Sequence, residues 1–146
     1  MKKITMKVNA KSEGMTVRAS TKKHEIVIDE GKQMGGQDLG MNPLQAVLSS
    51  LAACENVTAR VTAKEMDFDL QDFSVEVQGT FDPRGFMGVP DVCPYFESVT
   101  VEVTVTTNES EDRLQELKEN VESRCPVYTM MKAAGVQMND TWKKAD

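Results

Sequence analysis

The clearest pattern along the chain is an alternation of valines. Val99, Val101, Val103 and Val105 are separated by Thr100, Glu102 and Thr104, the two-residue period of a strand with one face buried. Phe73, Val75 and Val77 alternate in the same way with Ser74, Glu76 and Gln78 and predict a second such strand. Earlier, Lys7 to Ala10, Thr16 to Ser20 and Glu25 to Asp29 are short β-prone runs. Ser12-Glu13-Gly14 and Thr21-Lys22-Lys23 read as the turns between them.

The period changes after a glycine-rich loop, Gly35-Gly36-Gln37-Asp38-Leu39-Gly40. This loop lacks the spacing and the Lys-Ser/Thr pair of a phosphate loop, so it reads as a connection. Asn42 is placed to cap a helix, with Pro43 at the first helical position, where its missing N–H costs little. Leu44, Val47, Leu48, Leu51, Cys54, Val57 and Val61 then recur at steps of three and four. The spacing predicts a helix to about Lys64 or Met66, with Cys54 on its buried stripe and Glu55, Asn56, Arg60 and Lys64 on an exposed flank. Asn108 and Glu111 fit a capping box for a charged helix ending near Arg124, whose stripe is Leu114, Leu117 and Val121. A last helix is predicted from Cys125-Pro126 to Gly135, followed by a closing strand from Val136 to Trp142. The order predicts an α+β fold, helices packed on a mainly antiparallel sheet, in one domain over residues 1–146.

Composition narrows the function. A formal net charge of −6 argues against nucleic acid, which needs a basic face. No polybasic amphipathic stretch or long apolar run suggests a membrane. The start, Met1-Lys2-Lys3-Ile4-Thr5-Met6-Lys7-Val8, has no apolar core of a signal peptide. Three cysteines in such a chain predict a cytoplasmic protein with reduced thiols. Those cysteines are far apart and the lone histidine is His24, so close Cys/His pairs for zinc are missing.

The cysteines carry the candidate chemistry. Cys54 has two readings: a small apolar side chain on a core face, or a reactive thiolate that needs a cation or backbone dipoles beside it. Cys125 precedes Pro126 at a helix start, where unpaired N–H groups and partial positive charge favour thiolate; Arg124 adds a cation. The same placement suits an inert capping cysteine. If the fold brings the two together, they form a two-thiol redox site. Cys93, before Pro94 in an irregular loop, reads as an incidental thiol. Arg18, Arg60, Arg84 and Glu55 are the charged candidates. Glu55 projects about 100° away from Cys54 around the helix and reads as a solvated side chain or an ion-pair partner of Arg60. Phe86, Met87 and Phe96, in and beside the Gly- and Pro-rich loop, fit either an apolar pocket or ordinary core.

Taken in order, Gly35-Gly36, Asn42-Pro43-Leu44-Gln45, Leu51-Ala52-Ala53-Cys54 and Cys125-Pro126-Val127 give the chain a resemblance to the OsmC/Ohr family, the osmotically inducible protein C and organic hydroperoxide resistance proteins. The resemblance implies an intertwined α+β homodimer and a thiol-dependent peroxidase acting on organic hydroperoxides in oxidative stress defence. It implies Cys54 as the attacking cysteine and Cys125 as the resolving one, joined in a disulfide during turnover. It implies reduction by a small dithiol or a lipoylated protein, with no metal or flavin cofactor. Arg18 is the candidate for the arginine that pairs with the attacking thiolate. The hydroperoxide resistance branch carries Glu where this chain has Leu44, which places the resemblance nearer the less characterised OsmC-like branch. From another class, the alternative is a non-catalytic OsmC-like binding or redox-sensing protein. A protein thiol–disulfide oxidoreductase fits less well, because there is no Cys-x-x-Cys.

Overall fold

A computed structural model describes residues 1–146. The chain divides into two units, Met1–Val47 and Leu48–Asp146.

In the first unit, β1 (Asn9–Glu13), β2 (Thr16–Ser20) and β3 (Glu25–Ile28) form an antiparallel sheet in that order. Gly14, at φ +60°, supplies the left-handed backbone of the β1–β2 turn. The loop after β3 is tied down by Asp29, which is buried. Its carboxylate accepts backbone N–H bonds from Glu30 (2.8 Å), Gln37 (3.2 Å) and Leu39 (3.2 Å), and the Thr16 hydroxyl donates at 3.0 Å. Burial pushes the Asp29 carboxyl up, but these four donors outweigh it and hold the group below its usual range. A Cβ at Gly36 would run into the Glu30 carbonyl, so the Gly35-Gly36 pair is a structural requirement of this loop.

Helix α1 (Pro43–Glu65) begins before the end of the first unit and runs on through the second. Its start is a reciprocal capping box. Asn42 Oδ1 accepts from the Gln45 N–H (2.8 Å), and Gln45 Oε1 accepts from the Asn42 N–H (3.0 Å).

The second unit continues with β4 (Asp72–Thr80), the single turn α2 (Pro83–Phe86), β5 (Ser98–Thr106), α3 (Glu111–Arg124), α4 (Pro126–Ala133) and β6 (Gln137–Lys144). The sheet order is β4-β5-β6. β4 and β5 are antiparallel, whereas β5 and β6 are parallel because the chain returns through two helices. On β5, Val99, Val101, Val103 and Val105 have no solvent exposure; burying such a side chain contributes about 1.5–3 kcal/mol each. Beside them in register stand Met138, Asp140 and Trp142 of β6. Leu114, Leu117 and Val121 of α3 and Tyr128 and Met131 of α4 are buried, and both helices pack against β6.

The predicted elements are present, with local differences. β1 is Asn9–Glu13 and not Lys7 to Ala10, so Ser12 and Glu13, expected in the turn, belong to the strand. α3 is capped by Ser110, whose hydroxyl accepts from the Arg113 N–H at 3.2 Å, and not by Asn108. Asn108 instead bonds Asp69 at 3.3 Å. Phe73, Val75 and Val77 are only half-buried, because β4 is an edge strand. No helix is long and apolar enough to cross a membrane.

Candidate active site

The inner face of α1 differs from the predicted one. Its buried residues are Leu51, Glu55, Ala59, Thr62 and Ala63, a stripe with four-residue steps. Val47, Val57 and Val61, expected inside, are 41%, 60% and 48% exposed. Three small residues, Ala59, Thr62 and Ala63, lie on this inner face, and small side chains let a helix backbone approach its neighbours closely. The larger valines fall on the other side. Cys54 sits half-buried beside this stripe.

Cys125 lies at the junction of α3 and α4, as C-cap of one and N-cap of the other. Its N–H donates to the Val121 carbonyl (2.8 Å). Its own carbonyl accepts from the Thr129 N–H (2.9 Å) and the Thr129 hydroxyl (2.8 Å). With Pro126 fixing the first turn, the thiol is held inward with no exposure. There it lies near enough to Cys54 for the two sulfurs to act on each other's ionisation, and both thiols are free.

The acidity expected of Cys125 is reversed. Burial pushes its thiol up to about 11, and the neighbouring Cys54 and Glu55 add to the rise. The Tyr128 N–H at the start of α4 pulls the other way and does not win. Desolvating a thiolate outweighs the partial charge of one helix end. Nor does Arg124 help: its guanidinium is bidentate to Glu65, at 2.5 and 3.1 Å.

Glu55 is the second correction. It is neither solvated nor paired with Arg60; it is fully buried, and neither carboxyl oxygen has a hydrogen-bond partner. Burial first, then the charges of Asp140 and Glu122, push its carboxyl up to about 8. Asp140 lies on the inward face of β6, opposite Val101. Burial and Glu122 push it up to about 7, while Tyr128 and Lys118 oppose the rise. The Tyr128 hydroxyl and Glu122 approach Asp140 without a well-aligned hydrogen bond. Lys118 Nζ lies 3.1 Å from Glu122 Oε1. The result is a carboxyl cluster from α1, α3 and β6 beside the two thiols. No three His, Cys, Asp or Glu side chains converge with the geometry of a metal site.

The remaining candidates are dispersed. Arg18 lies on the first sheet, 3.5 Å from Glu25, with both side chains about half exposed. Arg84 pairs with Asp82, and Arg60 is exposed. Cys93 Sγ donates to the Tyr95 carbonyl at 3.5 Å. Phe96 is core: it is buried, edge-on to Phe81 at 6.2 Å, and fills the space beside Gly79. Phe86 and Met87 are exposed. Sequence reasoning set Glu55 aside as a solvated or ion-paired acid and did not single out Asp140, although both carried a signal. Glu55 is four residues from Leu51 and from Ala59, and Asp140 alternates with Met138 and Trp142.

The family model for "OsmC-like protein" matches residues 35–139, a span that holds Cys54, Glu55 and Cys125 and ends one residue before Asp140. The chain belongs to the OsmC-like family. Among solved structures, an OsmC-like protein from Mycoplasma pneumoniae superposes on this family member with a TM-score of 0.85 and 21% identity. The match covers 98% of this chain and 99% of that one. An organic hydroperoxide resistance protein OsmC from Legionella pneumophila gives 0.70 and 18%, covering 99% and 100%. The organic hydroperoxide resistance protein OhrB of Bacillus subtilis gives 0.64 and 18%, covering 97% and 98%. At these identities the structures establish that the OsmC-like chain has the α+β fold of the group. No curated protein matches the chain.

Proposed function

We propose that this OsmC-like protein is a thiol-dependent peroxidase that reduces organic hydroperoxides. The observation that carries the reading is the proximity of the half-buried Cys54 thiol to the buried Cys125 thiol, close enough for each to affect the other's ionisation. A peroxide can reach the first, and the second waits behind it. The Cys54 thiolate attacks the O–O bond; its sulfur becomes sulfenic acid and the alcohol leaves. Cys125 then attacks the Cys54 sulfur, forming the disulfide and releasing water. A small dithiol or a lipoylated protein restores both thiols by exchange. That two structural relatives are hydroperoxide resistance proteins supports the choice of oxidant.

Arg18 is proposed as the cation for the Cys54 thiolate, which requires it to exchange Glu25 for sulfur. Its half-exposed ion pair with Glu25 costs little to break. The protein is further proposed to work in the cytoplasm as a homodimer, both units of each chain forming one domain. The exposed Val57 and Val61 of α1 are the surface that a second copy would cover; sedimentation would then give twice the chain mass of 16.2 kDa.

Thiol titration before and after one equivalent of cumene hydroperoxide tests the function. Two thiols are expected to disappear, none in Cys54→Ser, and about tenfold more slowly or worse in Arg18→Ala. Unchanged thiols after several minutes would reject the peroxidase and favour a binding or sensing protein.

A further inference from the structure

The two-thiol site has a resolving cysteine that resists ionisation. Cys125 is sealed from solvent, and its thiol is pushed up to about 11, so at neutral pH about one molecule in ten thousand carries the thiolate. Attack on the Cys54 sulfur nevertheless requires the Cys125 proton to leave. Solvent has no access to it, and no cation is at hand, since Arg124 is committed to Glu65.

One buried side chain on the Cys54 helix has the free acceptor capacity to take that proton, and Cys125 does not hydrogen-bond to it in the resting structure. Glu55 follows Cys54 directly on α1 but points to the inner face, where its charge acts on Cys125. It has no exposure, and both its oxygens lack hydrogen-bond partners. An unpartnered buried carboxyl is unfavourable and normally eliminated; here it sits in a packed interior with its acceptor capacity unused. The groups that interact with it electrostatically are Glu122 of α3, Cys125 and Tyr128 of α4 and Asp140 of β6, with Lys118 of α3 bound to Glu122. Burial, with the carboxylates of β6 and α3, raises the Glu55 carboxyl to about 8, the range in which a base is both available and strong at neutral pH.

We propose that Glu55 is the general base for the resolving thiol, and that the acidic residues Glu122 and Asp140 are positioning residues that tune it. The inference rests on the two-thiol reading of the site. In the step, the Cys125 S–H bond breaks and its proton passes to the Glu55 carboxylate. The sulfur electron pair forms the S–S bond as the Cys54 S–O bond breaks. The departing hydroxide takes back one proton through solvent and leaves as water, which restores the carboxylate. Cys125 sulfur is oxidised and Cys54 sulfur is reduced. Throughout the step, one negative charge moves from the Glu55 carboxylate to sulfur, and the step adds no further charge to the carboxyl cluster.

The test uses Ellman's disulfide in place of a hydroperoxide, so it stands whether or not the protein is a peroxidase. In the full chain carrying Cys93→Ser, the reagent caps Cys54 and releases one thionitrobenzoate. Attack by Cys125 then releases a second. The second rate is expected to rise with pH through an inflection near 8. In Glu55→Gln the inflection should vanish and the rate at pH 8 should fall at least about tenfold. Alkylation of Cys125 in a Cys54→Ser background should show its thiol becoming more acidic in Glu55→Gln, because a negative neighbour is gone. A purely electrostatic or structural Glu55 predicts the reverse: a more acidic thiol that attacks faster. Glu55→Asp should recover part of the inflection. The same pH profile in Glu55→Gln as in the parent, a faster second release, or no second release at any pH would each overturn the proposal.

Discussion

The protein is expected to lose stability as the pH rises from about 5 to about 8, and Glu55→Gln to remove much of that loss. Glu55 carries its proton in the folded protein up to about 8, whereas an unfolded glutamate releases it near 4.5. Between those values the folded state binds more protons than the unfolded one, so stability falls with rising pH. The contribution is present in full below about 4.5 and gone above about 8. Asp140, held up to about 7 against 3.8 when unfolded, acts in the same direction over a slightly lower window. Each pKa unit corresponds to about 1.4 kcal/mol, which puts the share of each carboxyl on the order of a few kcal/mol. In more acid solution the sign reverses. Asp29, Glu65 and Asp82 are held below their usual range, so their stabilisation is lost as pH falls through those lowered values. Urea unfolding at fixed protein concentration from pH 3.5 to 8.5 would therefore place maximum stability near pH 5. Glu55→Gln should equal the parent at pH 4.5 and exceed it at pH 8.5. A parent more stable at pH 8 than at pH 5 would contradict the burial of these carboxyls.

Cys125→Ser is expected to stop turnover after one equivalent of hydroperoxide. The Cys54 sulfenic acid would still form, since its chemistry needs only the peroxide, but no thiol would lie behind it to condense. Dimedone should then trap one label per chain in Cys125→Ser and little in the parent. With excess peroxide the unresolved sulfur should advance to sulfinic acid, seen in the intact mass as two added oxygens. Steady dithiol-driven turnover in Cys125→Ser at the parental rate would remove Cys125 from the resolving role. The Cys54 role would stay intact.

These two expectations depend on groups of different visibility. Cys54 and Cys125 stand out as residue types in distinctive settings, and the ordered motifs around them point to a two-thiol family. Glu55 reads in the sequence as a solvated acid or an ion-pair partner of Arg60, and Asp140 only as one position of the closing strand. Charge alone gives an acid residue no inward direction, and Val57 and Val61 were more persuasive markers of the buried face than Ala59 and Ala63. The valines prove exposed, with Val57 at 60%. On a helix that has apolar residues on two faces, hydrophobic spacing does not say which face meets the rest of the same chain.

What the sequence by itself determined is local in origin. The β5 valine alternation, the Asn42 cap of α1, the Pro126 start of α4 and the turn at Gly135, with φ +88°, follow from backbone preferences and period. All appear where the chain predicts them. Only the tertiary structure decided how the site is charged. The parallel return of β6 beside β5 carries Asp140 into the interior, and the close approach of α1 through its small residues buries Glu55. Cys125 is sealed at the junction of two helices. Its helix start favours an acidic thiol, while burial makes it a weak acid, because desolvation depends on neighbours that are distant in the chain. That inversion is the physical reason the site needs a base.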